Sequence, residues 1–208
     1  MKILGLTGQS GAGKTLFSET LKELGHPCIN ADELYHSLLV PPSEILDAIE
    51  LAFGKDFFLE DGSLDRKKMA KHVFASTEQL DKLNRAVLPI MSKKVTEIAK
   101  QLEQDGANLV VIDAPTLFEA GLDSICDLTV SIIASVDVRI ERISARDGIS
   151  REDALLRTNA QKPDEFYYKR SDFVLSNNSS PEKLKGKARA LVDSIGFSPF
   201  KKDKKYEQ

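Results

Sequence analysis

The chain has little of what marks secreted, membrane-spanning or nucleic-acid-binding proteins. Its 208 residues include two cysteines, Cys28 and Cys126, which stand in no metal-ligand spacing and predict no disulfide framework. The longest aliphatic run, Leu109 to Ile112, is far shorter than the roughly 20 residues of a membrane-spanning helix. The N-terminus lacks the apolar core and the cleavage site of a signal peptide. We therefore expect a cytoplasmic protein with no membrane partner.

The chain also lacks an excess of positive charge. Its 29 Lys and Arg residues are outnumbered by 32 Asp and Glu residues, which gives a net charge of -3. Dedicated nucleic-acid-binding domains are strongly basic, so we expect no nucleic-acid partner. The hydrophobic content of 41% supplies a sizeable core without disulfides or a structural metal, and the length favours a single domain.

Short apolar segments alternate with segments of helical periodicity. Strands are predicted at 2–7, 28–29, 108–113, 128–134 and 173–175. Helices are predicted at 43–53, 89–104, 136–146, 150–161 and 181–195, and on the segment carrying Leu16, Phe17, Leu21 and Leu24. Strands separated by helices predict parallel β-α-β units, and hence an α/β fold with a doubly wound parallel sheet. The stretch from about 56 to 104 is predicted to be purely helical. We therefore expect it to form a subdomain rather than to extend the sheet.

The most specific motif is a phosphate-binding loop. Residues Gly8–Thr15 read GQSGAGKT and match the pattern G-x-x-x-x-G-K-S/T in full. A glycine-rich turn could match by chance, but this one follows a predicted strand and opens an amphipathic helix, as a phosphate loop must. We predict an ATP site formed by the loop and the first helical turn, namely Gly11, Ala12, Gly13, Lys14, Thr15 and Leu16. Lys14 is expected to act in catalysis on the β- and γ-phosphates, and the Thr15 hydroxyl to ligate Mg²⁺.

Two aspartates end predicted strands. Asp113 closes the segment LVVID, where we predict a direct or water-bridged contact with Mg²⁺; the alternative is a cap before Pro115. Asp32 follows the second strand, and the carboxyl ends of parallel strands face the ligand crevice. Its carboxylate could orient an acceptor hydroxyl or take its proton. It could equally cap a helix that starts at Glu33.

Arginine is concentrated in one segment. Of nine arginines, six lie between 139 and 170, and Arg139, Arg142 and Arg146 share one helical face by their spacing. The planar guanidinium suits phosphate recognition, so we predict a lid over ATP in which Arg142 binds ATP and acts in catalysis. A solvated helix face is the alternative, because acidic residues are interspersed.

These features favour a small kinase. The Asn-Lys-x-Asp segment of GTPases and the Gly-x-Ser-x-Gly elbow of serine hydrolases are both missing from the sequence. The chain resembles the dephospho-CoA kinase family over most of its length. Residues 5–15 are similar to that family's Gly-Leu-Thr-Gly-Gly-x-Gly-Ser-Gly-Lys-Ser, and 29–32 to its Asp-Ala-Asp. Residues 61–66 resemble its Asp-Gly-x-Leu-x-Arg, with Val73-Phe74 beyond, and 113–119 its Pro-Leu-Leu-Phe-Glu.

The resemblance implies transfer of the ATP γ-phosphoryl group to the ribose 3′-hydroxyl of dephospho-CoA, the last step of coenzyme A synthesis. It implies that Asp32 orients or deprotonates that hydroxyl, and that Arg66 and Glu119 help to bind the acceptor. It also implies one P-loop kinase domain over 1–200, as a monomer or weak homo-oligomer. Its predicted parts are a core (1–35, 105–138, 171–200), a helical acceptor subdomain (about 36–104), a lid (about 139–170) and a flexible tail (201–208).

Three of the departures from the family pattern concern positions outside the phosphate loop. Asn30 replaces the first aspartate of Asp-Ala-Asp, Leu88 stands where His-Pro is usual, and Thr116 replaces the first leucine after Pro115. Two alternatives therefore stay open. The chain could phosphorylate another small molecule or a nucleotide, or it could bind nucleotide as a regulatory module.

Overall fold

A parallel sheet forms the centre of the fold in the computed structural model, which describes residues 1–73 and 75–195. The strand order is β2-β3-β1-β4-β5. The strands are β1 (Lys2–Gly8), β2 (Cys28–Asn30), β3 (Leu109–Asp113), β4 (Leu128–Ile133) and β5 (Phe173–Ser176). Every residue of β3 is buried, as its unbroken apolar sequence predicts for a strand covered on both faces. The predicted doubly wound α/β fold is confirmed.

The register places β1 between two parallel neighbours. Leu4 lies opposite Val111 of β3 on one side and Leu128 of β4 on the other. Buried side chains from the sheet pack with those of flanking helices, including Phe17 and Leu184. The carboxyl ends of β1 and β3 therefore lie side by side at one edge, where the loop after β1 begins.

Helices α1 to α9 connect the strands and follow the last one. They are α1 (Lys14–Glu23), α2 (Ala31–Ser37), α3 (Glu44–Phe53), α4 (Arg66–Val73), α5 (Thr77–Gln104), α6 (Val136–Asp147), α7 (Arg151–Asn159), α8 (Asp164–Arg170) and α9 (Pro181–Ile195). The prediction that a helix begins at 89 was wrong, because Pro89 lies inside α5. Proline removes one backbone donor from a helix, but the buried residues Val87, Met91 and Val95 continue the apolar face across it. Helix α8 was not predicted, because its seven residues are too short for a periodic pattern.

The chain divides into two compact units. One contains Met1–Ile29 and the chain from Ile98 onward, and the other is Asn30–Glu97. The sheet strands lie in the first unit, apart from the last residue of β2. The second unit contains α2, α3, α4 and most of α5. The predicted tail, 201–208, lies outside the described residues.

The unit Asn30–Glu97 is not purely helical. Phe58 and Leu64 form an antiparallel bridge across the predicted Asp61-Gly62 turn, so that part of the prediction was wrong. The bridge forms because Asp61 Oδ1 accepts a hydrogen bond from the Ser63 N–H at 2.9 Å and closes the turn. Next to it, the rings of Phe57 and His72 pack with centroids 5.0 Å apart.

No described helix is long and apolar enough to cross a membrane. Both cysteines are half-buried, and burial raises the pKa of the Cys126 thiol to about 12. The raised pKa keeps the Cys126 thiol protonated at neutral pH.

The end of β1 requires glycine. Gly8 has a φ of 145°, and a Cβ at this position would lie 2.2 Å from the carbonyl oxygen of Ile132 in β4. Any side chain here would push the phosphate loop away from the neighbouring strand.

We expect Gly8→Ala to lower the free energy of unfolding by more than about 2 kcal/mol, since it combines backbone strain with a backbone clash. The matched control is Gly186→Ala in α9, where a Cβ meets nothing within 4 Å. That change should raise the free energy of unfolding by up to about 1 kcal/mol, because alanine is the better helix former. Urea unfolding followed by circular dichroism measures both, and a Gly8→Ala protein as stable as the wild type would contradict the expectation.

Candidate active site

The phosphate loop runs from β1 into α1 and ends in a left-handed residue. Gly13 is the N-cap of α1 with a φ of 102°, and a Cβ here would lie 2.5 Å from the side-chain nitrogen of Asn177. No side chain caps this helix end, and its first turn has no acidic residue. The N–H groups of Lys14, Thr15 and Leu16 have no helical acceptor because the helix starts there. The loop therefore offers backbone donors and the positive end of a helix dipole to an anion.

Lys14 and Asp113 meet at this point. The Lys14 Nζ donates a hydrogen bond to the Asp113 carboxylate, and the two side chains are 16% and 5% exposed. The contact follows from the parallel pairing of β1 with β3, whose last residue is Asp113. Two residues predicted separately from the sequence, one at the start of α1 and one at the end of β3, are thus brought together.

The site has a donor set that fits Mg²⁺ carried by a nucleotide. Magnesium usually binds one or two protein oxygens and completes its octahedron with substrate phosphates and water. The hydroxyl-bearing Thr15 is exposed in the first turn of α1, next to Lys14, and the Asp113 carboxylate is bonded to Lys14. Among the described residues there is no cluster of three or more carboxylates, histidines or cysteines that would hold a metal without substrate. Thr15 and Asp113 therefore suit a metal that arrives with phosphates.

Arg142 of α6 is bonded to the backbone of the phosphate loop. Its Nη1 donates to the carbonyl oxygens of Gly11 at 3.3 Å and Ala12 at 3.5 Å, and to that of Asn177 at 3.1 Å. Its Nη2 donates to the carbonyl oxygen of Ser179 at 3.3 Å. A single guanidinium thus connects the loop to the segment that follows β5 and places its positive charge directly behind the phosphate-binding backbone.

The other two arginines of α6 have different surroundings. Arg139 is 4% exposed, and its Nη1 donates to Gln161 Oε1 at 3.3 Å. Burial lowers the pKa of Arg139. Arg146 is exposed and donates twice to the Asp147 carboxylate, from Nε at 2.7 Å and from Nη2 at 2.9 Å. Of the three, Arg142 is the one bonded to the phosphate loop in the described structure.

Three loop contacts were not predicted from the sequence. The Ser10 N–H donates to Gln161 Oε1 at 2.8 Å, and Gln9 Nε2 donates to Asp164 Oδ1 at 2.7 Å. Asn177 is buried, and its Nδ2 donates to the carbonyl oxygen of Ala12 at 2.7 Å. Gln9 stands where the resembled family has glycine, which was a usable signal. Nothing in the local sequence marks Gln161.

Glu119 lies in the exposed turn after β3. Burial raises the pKa of Tyr167 in α8 to about 12, and the negative charge of Glu119 contributes to that rise. Phe118 packs on Phe166 of α8 with ring centroids 5.8 Å apart, and the Arg170 guanidinium lies over both rings. Glu119, which the resemblance assigns to acceptor binding, therefore lies beside α8. Helix α8 belongs to the segment predicted to be the lid.

The remaining predicted residues belong to the unit Asn30–Glu97. Asn30, and not Asp32, is the N-cap of α2: its Oδ1 accepts from the N–H groups of Asp32 at 3.0 Å and Glu33 at 3.2 Å. The capping alternative for Asp32 was therefore wrong, because the helix begins at Ala31. The Asp32 side chain is exposed in the first turn. Arg66 is the exposed first residue of α4, and its Nη2 lies 3.0 Å from His36 Nδ1.

Known dephospho-CoA kinases are similar to this chain over nearly its whole length. The chain is 36% identical over 202 residues to the dephospho-CoA kinase of Carboxydothermus hydrogenoformans, covering 97% of this chain and 98% of that one. It is 36% identical over 197 residues to the dephospho-CoA kinase of Anaeromyxobacter dehalogenans, covering 94% and 93%. Its structure matches that of TT1252 from Thermus thermophilus with a TM-score of 0.76, 31% identity, and coverage of 94% and 98%. The family model for dephospho-CoA kinase matches residues 2–183. A phosphate loop with its lysine, an aspartate at the end of β3 and these matches together establish that the chain belongs to the dephospho-CoA kinase family.

Proposed function

We propose that this chain transfers the γ-phosphoryl group of ATP to the ribose 3′-hydroxyl of dephospho-CoA and releases ADP and coenzyme A. The observation that carries the proposal is the contact between Lys14 of an intact phosphate loop and Asp113 in a member of this family. In the step itself, the 3′-oxygen forms a bond to the γ-phosphorus while the bond to the β,γ-bridging oxygen breaks. The hydroxyl proton leaves the acceptor, and ADP carries away the negative charge.

On the donor side, the loop amides and Lys14 stabilise negative charge. Lys14 is bonded to Asp113 and is only 16% exposed, so the ammonium is fixed close to the loop rather than free in solvent. We assign its catalytic role to the β- and γ-phosphate oxygens, where charge develops during transfer. When Mg²⁺ is bound with the nucleotide it neutralises phosphate charge, and Thr15 and Asp113 are the residues that would hold it.

Arg142 acts in this proposal through the loop. Its hydrogen bond to the carbonyl oxygen of Ala12 fixes the peptide group that carries the Gly13 N–H. Its bond to the carbonyl oxygen of Gly11 holds the preceding turn, in which the Ala12 N–H donates to the carbonyl oxygen of Gln9 at 3.1 Å. The guanidinium stays protonated at all working pH values, so it also adds a permanent positive charge to the ATP site. Both effects favour bound triphosphate.

On the acceptor side, we assign the proton to Asp32. Its N–H is bonded to Asn30, which fixes the first turn of α2, and its carboxylate is exposed. A carboxylate within reach of the 3′-hydroxyl can orient it and accept its proton as the bond to phosphorus forms. Arg66 and Glu119 are the residues we assign to acceptor binding.

The departure at Asn30 is compatible with activity. Its Oδ1 caps α2, as an aspartate would, and its Nδ2 donates to Glu33 Oε1 at 2.9 Å. The role of this position in the proposal is to shape the helix start, which needs an acceptor oxygen and not a charge. The change therefore leaves Asp32 in place.

The substrates in this proposal are small molecules. With a net charge of -3 and no described helix that could span a membrane, we assign the enzyme to the cytoplasm without nucleic-acid or membrane partners. We propose a monomer or a weak homo-oligomer.

The test is ADP release from MgATP with dephospho-CoA, run beside nucleosides, nucleotides and other alcohols. We expect ADP with dephospho-CoA alone and coenzyme A as its product, identified by mass spectrometry. Turnover with a different acceptor would contradict dephospho-CoA as the substrate, but the chain would still be a kinase. Nucleotide binding with no acceptor-dependent turnover would instead make the chain a binding module.

Lys14→Ala is expected to reduce kcat at least about 100-fold, because it removes a charged donor from the transferring phosphoryl group. The change also leaves the buried Asp113 carboxylate without its partner, so the melting temperature should fall, and kcat is therefore measured at a temperature where circular dichroism shows the variant to be folded. A variant with near-normal kcat would contradict the role of Lys14.

Asp32→Asn is expected to reduce kcat by about 100-fold or more while the KM for ATP stays within about twofold, because the amide cannot accept the acceptor proton. Glu33→Gln is the matched control, since Glu33 is also exposed in the same turn but has no proposed role. Steady-state kinetics compares kcat of the two variants. Equal losses of kcat would show that both changes act by disturbing the start of α2, and would contradict the role of Asp32.

Arg142→Ala is expected to raise the Kd of a non-hydrolysable ATP analogue about tenfold, because charged hydrogen bonds of this kind contribute about 1.5–3 kcal/mol. Arg146→Ala, one turn further along α6, should change the Kd less than about twofold, since its guanidinium pairs with Asp147 at the surface. Isothermal titration calorimetry measures both. Equal effects would show that position on α6, and not the loop contact, determines affinity.

A further inference from the structure

Helix α2 carries a histidine near Asp32, His36, that has no role in the proposed reaction as described so far. This histidine pairs with Arg66. His36 lies four residues after Asp32, so the two share one face of the helix. His36 is exposed, and its Nδ1 lies 3.0 Å from Nη2 of Arg66, the first residue of α4. All three residues belong to the unit Asn30–Glu97. The contact is therefore internal to one compact body.

The chemistry of this contact fixes the state of the imidazole. Arginine has only donors and remains protonated, so His36 Nδ1 must be the acceptor. The histidine is then neutral and carries its proton on Nε2. One Nη2 proton of Arg66 is committed to His36. Within residues 1–73 and 75–195, no acceptor is bonded to the remaining guanidinium N–H groups, which can therefore bind an anion.

The pair is held in place by its neighbour on α2. The Tyr35 ring packs beside the imidazole, with centroids 5.9 Å apart at a tilt of 47°. Burial raises the pKa of Tyr35, and the Arg66 charge opposes that rise, so the guanidinium lies close enough to act on the phenol. The contact with His36 Nδ1 and the proximity of the Tyr35 phenol restrict a long side chain that would otherwise sample many rotamers.

We propose that His36 is a positioning residue that holds the Arg66 guanidinium in the orientation needed to bind an anionic phosphate of the acceptor, one helical turn from Asp32. The inference rests on the proposed function, in which Arg66 binds dephospho-CoA and Asp32 receives its proton. Pre-ordering of the guanidinium lowers the entropic cost of binding and sets the distance from the bound phosphate to Asp32.

The kinetic test compares His36→Leu with His36→Asn, using Ser37→Ala as the matched control on the next residue of α2. Leucine removes the acceptor, so the KM for dephospho-CoA should rise about tenfold while kcat and the KM for ATP stay within about twofold. Asparagine places an oxygen near the position of Nδ1 and should restore most of the affinity. An unchanged KM for dephospho-CoA in His36→Leu, or a KM in His36→Asn as high as that of His36→Leu, would overturn the proposal.

A second measurement does not depend on turnover. Nitrogen-15 NMR of the imidazoles should show His36 above pH 8 as the Nε2–H tautomer, with a shift of its Nδ1 signal in Arg66→Met. Only three histidines are present, and His36→Asn identifies the signal. A Nδ1–H tautomer, or a signal that does not respond to Arg66→Met, would contradict the contact. Calorimetric titration with dephospho-CoA alone should show the same order of affinities as the KM values.

The two proposals fail in different ways. Absence of acceptor-dependent ADP release contradicts the proposed function, while the NMR and calorimetric results still decide on His36. Normal turnover with equal dephospho-CoA affinity in wild type and His36→Leu contradicts the positioning role and leaves the proposed function intact.

Discussion

The shape of the phosphate loop depends on hydrogen bonds from residues distant in the sequence to the loop backbone. The loop after β1 has its own conformational freedom, but its carbonyl oxygens are bonded to Arg142 and Asn177, and its Ser10 N–H to Gln161. These partners come between 131 and 165 residues later in the chain. The phosphate-binding shape of the loop is therefore a product of the folded unit and not of the motif alone. Because each contact replaces one that water would make, the loop gains a single orientation rather than a large net stability.

In the proposed reaction, the two substrates bind to different kinds of structure. The proposed donor side consists of backbone amides, Lys14 at the start of α1 and Asp113 at the end of β3, where the pairing of β1 with β3 fixes the position of the loop. The proposed acceptor side is built from side chains on short helices of the unit Asn30–Glu97, such as Asp32 on α2 and Arg66 on α4. Rigid strands suit a triphosphate that is the same in many kinases. Short helices with exposed polar residues suit an acceptor that differs from one kinase to another.

Much of the donor side could be predicted from the sequence, because its signals are local. The phosphate-loop pattern, the unbroken apolar run of β3 and the aspartate that ends it each lie within eight residues. The elements that were missed or misplaced have causes that a short window does not contain. Buried residues on both sides of Pro89 continue α5 through a proline, and α8 is too short to show a period. The loop partners Gln161 and Asn177 are distant in sequence, so their roles arise only from tertiary packing.

The cap of α2 is also informative about single residues. Asp32 and Asn30 are both good capping residues, and the local sequence did not decide between them. The boundary of the helix decides, and that boundary is set where β2 ends. Because Asn30 is the N-cap of α2, the carboxylate of Asp32 is not needed to cap the helix.

The Asn30 amide also links two positions in evolutionary terms. Its Oδ1 accepts from the backbone and its Nδ2 donates to Glu33, so the same side chain satisfies a helix end and a neighbouring acid. An aspartate at position 30 would keep the first contact and face Glu33 with a like charge. Replacement of Asn30 by the family's usual aspartate is therefore easiest in a lineage where position 33 has already lost its negative charge.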